Sequence, residues 1–157
     1  MTVKQYPLVF SFRDLIKGKG FVAGVAMDGR VLLVEEDDGD VWMFGVHPGA
    51  IAGGNHTRDA AFAEFKRQYL GVLFDIAAEA TTFQEFEREV TELFNTVNKP
   101  SLIEWEKALA EVRATSASLN ALPTVKSESK TPRLYIQKIE TEEAEPRNEF
   151  DEISEAA

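Results

Sequence analysis

Residues 45–65 read GVHPGAIAGGNHTRDAAFAEF, and the reading of this stretch decides the fold. Pro48, Gly49, Gly53, Gly54 and Asn55 crowd together, and a helical pattern begins right after them at Thr57. Two explanations compete. A glycine-rich loop ahead of a helix can cradle phosphate, because its backbone amides converge on an anion. The other is a set of tight turns joining a sheet to a covering helix. The phosphate reading lacks its chemistry: no Gly-Lys-Ser/Thr follows the glycines, and no G-x-G-x-x-G is present. The corner reading accounts for each position. Gly49 after Pro48 suits a tight turn, and Asn55 tolerates left-handed backbone. Thr57 caps the helix, Asp59 sits in its positive first turn, and Ala61 is small enough for helix and sheet to approach.

Upstream, four short apolar runs predict an antiparallel meander: LVFSF (8–12), FVAGVAM (21–27), RVLLVEE (30–36) and DVWMFGV (40–46). Asp28-Gly29 between the second and third is a hairpin signal, and Asp37-Asp38-Gly39-Asp40 marks the next turn. Downstream, spacing predicts three helices. Ala61, Phe62, Phe65, Tyr69, Val72, Leu73 and Ile76 make one apolar face behind Thr57. Thr82 and Glu85 form a capping box ahead of Phe83, Phe86, Val90, Leu93 and Phe94. Pro100 and Ser101 open a third helix, with Glu104 completing a second box and Leu102, Trp105, Leu109 and Val112 facing inward.

Periodicity stops after Ala114. Residues 115–132 read as a Ser/Thr-rich linker and 140–157 as a disordered acidic tail, interrupted by the strand-like RLYIQKIE at 133–140. A lone strand does not fold by itself, so this one is either inert or docks on a sheet edge, in cis or in trans. Removing 115–157 is then expected to leave the melting point nearly unchanged.

Composition narrows the function classes. The 157 residues carry a net charge of −10 and a pI near 4.7, which disfavours direct nucleic-acid binding and suits a basic protein partner. Without cysteine there is no disulfide, thiol catalysis or Cys-ligated zinc. No segment has signal-peptide or membrane-span character, so the chain reads as soluble and cytoplasmic. The two histidines, His47 and His56, flank the corner with only Asn55 and Asp59 near enough to join them, which is too little for a metal site. Asp28, Asp38 and Asp40 are the one set of acids that a nuclease-like reading would use, and hairpin tips at opposite ends of a meander keep them apart. No nucleophile–base pair stands out. The expectation is no catalytic residue, no metal and no cofactor.

One order of features points further. A charged hairpin turn with Asp38-Gly39-Asp40 is followed by the strand VWMFGV, then Pro48-Gly49, the short run Ala50-Ile51-Ala52, and Asn55-His56-Thr57-Arg58-Asp59-Ala60-Ala61 at a helix start. This order resembles the HicB-like antitoxin domain, over residues 30–80. Ala60 stands where that family has a second acid, and its C-terminal DNA reader has no counterpart here. The resemblance implies an α+β fold: an antiparallel meander covered by a long helix in residues 1–97, a helix at 98–114 packed on it, and a linker with an acidic tail at 115–157. It implies a non-enzymatic binding module that neutralises a small basic RNA-cleaving toxin, with Leu134, Tyr135, Ile136, Gln137, Lys138 and Ile139 as candidate contacts. The rival reading is an orphan structural or adaptor protein of the same fold without a toxin partner, for which a homodimer is one form.

Overall fold

Two fourteen-residue strands form the spine of the sheet: β1 (Lys4–Lys17) and β2 (Val22–Glu35) pair antiparallel along their whole length. The structure, a computed structural model, describes residues 4–119 and 132–140. The turn between the two strands is Gly18-Lys19-Gly20, closed by Gly18 N–H donating to the Phe21 carbonyl at 2.9 Å with Gly20 at φ +76°. Positive φ is the conformation glycine adopts at little cost.

The hairpin expected at Asp28-Gly29 is therefore absent, and the runs at 21–27 and 30–36 belong to one strand. Gly29 has a packing reason instead of a turning one. A Cβ there would lie 2.7 Å from the Phe10 ring and 2.6 Å from the His47 carbonyl oxygen. Asp28 is held in the strand by its neighbours, accepting from Ser11 Oγ at 2.7 Å and from Arg133 Nη2 at 3.2 Å.

The far edge of β2 serves two partners. Arg30–Glu35 pairs with β3 (Val41–His47), and Val22–Asp28 pairs with β5 (Arg133–Ile139), both antiparallel. Gly29 marks the change of partner. Beside it β3 carries an extra residue, Val46, between the pairs Arg30↔His47 and Val31↔Gly45. Such bulges bend and twist a strand locally, in keeping with the curl of the sheet. The expected turn between β2 and β3 is present: Gly39 has φ +94° and its N–H donates to the Glu36 carbonyl, while the Glu36 N–H donates to the Asp40 carbonyl.

The short strand after Pro48-Gly49 falls later than the sequence suggests. It is β4 (Ala52–Asn55), not Ala50–Ala52, and it pairs with β3. Gly53 and Gly54 are strand residues. Asn55 ends the strand opposite Val41, and its Oδ1 accepts from the His56 amide at 2.7 Å.

Three helices follow. Thr57 caps α1 (Arg58–Glu79), its Oγ1 accepting from Ala60 N–H at 3.1 Å. Such a bond is worth about 1 kcal/mol. Ala61, Phe65, Tyr69, Leu73 and Ala77 are buried at every fourth position, a stripe that turns one side of the helix to the sheet. Thr82 caps α2 (Phe83–Asn95) as expected, but the return bond of the box goes one residue early. The Glu85 carboxylate accepts from Thr81 Oγ1 at 2.9 Å, while Thr82 Oγ1 accepts from Glu85 N–H at 3.1 Å.

The third helix departs most from expectation. α3 spans Lys99–Leu119, past the expected end at Ala114. Its start is capped by Asn98, whose Oδ1 accepts from Ser101 N–H at 3.1 Å, so the Ser101–Glu104 box is not used. The corner sets this start: Asn98 N–H donates to the Val46 carbonyl, and Gly49 N–H donates to that of Thr96. Val112 is 45% exposed rather than inward. The linker and tail read at 115–157 lie outside the described residues, apart from the end of α3 and the segment around β5.

The result is α+β, with helices on both sheet faces. Phe10, Phe12, Val25, Met27 and Leu33 meet α1 and α2 on the front. Leu32, Val34 and Val46 meet Trp105 of α3 on the back. β2 shows the change in its own burial, alternating up to Arg30 and then buried on both faces from Val31 to Val34. No helix among the described residues is long and apolar enough to cross a membrane.

One group inside the front core carries a testable cost. Tyr69 is fully buried, edge-on to Phe12 at 5.0 Å, and its hydroxyl has no hydrogen-bond partner among the described residues. Burial pushes that phenol's pKa well up. Tyr69→Phe removes an unsatisfied polar atom at nearly constant shape, so chemical denaturation should show a gain of about 1 kcal/mol. A loss of that size would mean that the hydroxyl is hydrogen-bonded in solution.

Candidate protein-interaction surface

The candidate contact segment is β5, and its alternation sorts the residues. Leu134 and Ile136 stand opposite Met27 and Val25 and pack, half-buried, against the front core. Lys138 follows on the same side, exposed, opposite Ala23. Tyr135, Gln137 and Ile139 face the back opposite Ala26, Gly24 and Val22. Tyr135 is 60% exposed. The strand docks in cis, locked at its start by the Arg133–Asp28 ion pair at 3.2 Å. Leu134 and Ile136 thus serve the fold, while Tyr135, Gln137 and Lys138 remain at the surface.

Behind β5 no helix among the described residues covers the sheet. α3 covers Leu32, Val34 and Val46, but Arg13, Leu15, Ala26, Tyr135 and Gln137 remain exposed or half-exposed on the other half of that face. Gly24 lies at the centre of this patch, with Ile139 Cδ1 and Leu15 Cδ2 3.5 Å and 3.9 Å from where its Cβ would be.

The corner Pro48–Ala61 is structural. The His47–Pro48 peptide is cis, and Pro48 is among the fully buried side chains. Gly49 leaves no room for a side chain, since a Cβ would lie 2.2 Å from the Asn98 nitrogen. Asp59 lies in the first turn of α1 and Ala61 is fully buried beneath it. Helix and sheet also approach closely at Gly53 of β4, where a Cβ would lie 2.6 Å from the nitrogen of Phe65, the next residue of the helix's buried stripe after Ala61. Nothing local distinguishes such a glycine from one in a turn.

His47 sits in the same corner. Its ring lies 4.6 Å from that of Phe94, and its Nε2 is buried with no hydrogen-bond partner among the described residues. Desolvation, then the charge of Arg30, pushes its pKa below the ordinary histidine range. The unfolded chain therefore binds the proton more readily than the folded one. This contribution is complete above the unfolded histidine value, about 6.5, and is lost as pH falls from there towards the lower folded value. Stability should drop between pH 7.5 and 5.5, and His47→Gln should flatten that slope. An unchanged slope would assign the drop to other groups.

A second feature is a cleft of about 290 Å³ between β1 and the start of α1, floored by Leu8, Val31, Leu33 and Met43. Arg58 closes one side. It makes two bonds to Glu35, from Nε at 3.1 Å and from Nη2 at 3.0 Å, and its guanidinium carbon lies 4.8 Å from the Tyr6 ring centre. The hydrogen bond from Arg58 holds the Glu35 carboxyl below its usual range.

The chemistry-bearing side chains do not converge. His56 Nδ1 meets Asp40 at 2.9 Å on an exposed hairpin, remote from His47 in the corner. Asp38 accepts from the Asp40 amide at that same tip. Asp28 lies mid-strand rather than at a tip, which corrects the expected position and leaves it on the order of 20 Å along β2 from the other two. Among the described residues no three histidines or carboxylates are grouped to hold a metal. No protein-family model matches this chain, and comparison with curated proteins and with solved structures likewise found no match.

Proposed function

We propose that this chain is a non-enzymatic protein-binding module of the HicB-like antitoxin type, which binds and neutralises a small basic RNA-cleaving toxin. One observation carries the reading. From Asp38 to Ala61 the elements run hairpin tip, β3, Pro48-Gly49, short β4 and Thr57-capped α1, the order that the motif implies. Charge supports it: the chain carries −10, and Glu87, Glu92, Glu106 and Glu111 are exposed on α2 and α3. An acidic surface attracts a basic partner and sets its register. The long β1 lies outside the motif and is an addition to it.

The test is purification of the untagged chain from its native host. A stoichiometric basic partner that leaves at high salt, cleaves RNA alone and stops when the chain is returned is the expected result. A partner without RNA cleavage, or none, overturns the toxin assignment. The adaptor reading then takes its place. It is favoured by the outer edge of β1, which among the described residues pairs with no second strand and is met at the Leu8 carbonyl by the Trp105 indole N–H, because strand edges without a strand partner invite pairing with another chain. Sedimentation showing a homodimer without a second protein would support it.

A further inference from the structure

A groove of about 500 Å³ runs between β5 and α2, lined by Glu87, Thr91, Phe94 and Asn95 on one side and by residues 132–136 on the other, where the cation Arg133 is paired with Asp28 at 3.2 Å. Its strand wall is an edge. Among the described residues β5 pairs only with β2, which leaves its outer edge without a strand partner beside the groove. Its apolar part is Phe94 with Leu134 and Ile136. Its helix wall places Glu87, Thr91 and Asn95 at successive four-residue steps, which share one face of a helix. Thr91 Oγ1 donates to the Glu87 carbonyl, while the exposed Glu87 carboxylate makes no hydrogen bond or ion pair among the described residues.

We propose that this groove receives an extended basic segment of a partner protein, added as a further strand along the outer edge of β5. Resting on the binding-module reading above, the assignment names the surface that reading needs. Backbone amides and carbonyls of β5 supply the pairing, as in strand addition generally. On the side of the added strand that faces α2, where side chains recur every second residue, an apolar residue meets Phe94 and Leu134. A lysine or arginine on that side meets Glu87. The occupant is a different protein rather than a second copy. Pairing two β5 edges about a twofold axis would bring two α2 helices, each with an unpaired Glu87, towards one another, and like charges across an interface oppose association.

The test uses the full chain and a fluorescein-labelled peptide, Thr-Lys-Thr-Val-Thr-Lys-Thr, whose lysines and valine share one face. Fluorescence anisotropy should show saturable binding that weakens at least tenfold in Glu87→Lys and stays within twofold in Glu111→Lys, a change on α3. The counterpart with glutamate for lysine should not bind. Of two versions N-methylated at alternate amides, at least one should lose tenfold or more, because one edge of the added strand carries the pairing. No binding, equal effects of the two substitutions, or both methylated versions binding like the parent would each overturn the proposal. So would a dimer of the chain alone that Glu87→Lys dissolves, since that puts a second copy in the groove. A native partner captured at full stoichiometry by Glu87→Lys would remove the groove and leave the module reading standing. Absence of any partner for the unaltered chain would remove that reading, and the peptide titration would judge the groove separately.

Discussion

Gly53→Ala should destabilise the protein by about 3 kcal/mol, while Gly71→Ala should stabilise it by about 1 kcal/mol. The same chemical change takes opposite signs because the two surroundings differ. At Gly53 a Cβ would lie 2.6 Å from the Phe65 nitrogen and 2.9 Å from its Cα. Those are backbone atoms of α1 and cannot rotate away, so helix or strand must shift. Phe65, Tyr69 and Leu73 on that helix are fully buried against the sheet and would lose packing together. Gly71 lies inside α1 on its exposed side, with nothing within 4 Å of an added Cβ. There alanine only removes the entropic penalty of glycine in a helix. Urea unfolding of both variants decides it. A neutral Gly53→Ala would mean that the Gly-Gly pair lies in a turn, as its surroundings in the sequence suggest.

Ending the chain at Leu119 should cost about 3 kcal/mol and lower the melting point by roughly 10 °C. Read as linker and tail, residues 115–157 would be dispensable; the docking of β5 reverses that expectation. Truncation strips the Val22–Asp28 edge of its partner and takes Leu134 and Ile136 off the rim of the core. Two half-buried aliphatic side chains are worth about 1 kcal/mol each, and a ladder of strand pairs is lost with them. The entropy of ordering seven residues offsets part of this, which keeps the net effect moderate. Ile136→Asp in the full chain should reproduce most of the loss by placing a carboxylate against Val25. Excess synthetic peptide of residues 132–140 should restore part of it to the truncated chain. A truncated chain that melts within 2 °C of the full one would show that β5 is not part of the stable fold.

The candidate surface was half legible in advance. Alternating apolar residues in RLYIQKIE announce a strand, and in the structure it pairs in cis with β2. Which edge it takes is not legible there, because Asp28-Gly29 signals a hairpin at the end of the receiving segment Val22–Asp28, which is in fact the first half of a longer strand. The true turn, Gly18-Lys19-Gly20, carries as good a signal as Asp28-Gly29. What separates them is the Phe10 ring and the His47 carbonyl over Gly29, both brought there by pairing.

By itself the sequence determined what depends on neighbours a few residues away. The apolar stripes of the helices, the Thr57 and Thr82 caps and the charged turn at Asp37–Asp40 are of this kind, because helix periodicity, capping and tight turns are settled within about one turn of chain. Tertiary structure alone decided the continuity of β2, the strand roles of Gly53 and Gly54, the Asn98 cap of α3 and the berth of β5. Each turns on atoms that arrive from distant parts of the chain, Phe65 on Gly53 and Val46 on Asn98 among them. A glycine vacated for such an atom is spelled like a glycine in a bend, and only the assembled sheet and helices tell the two apart.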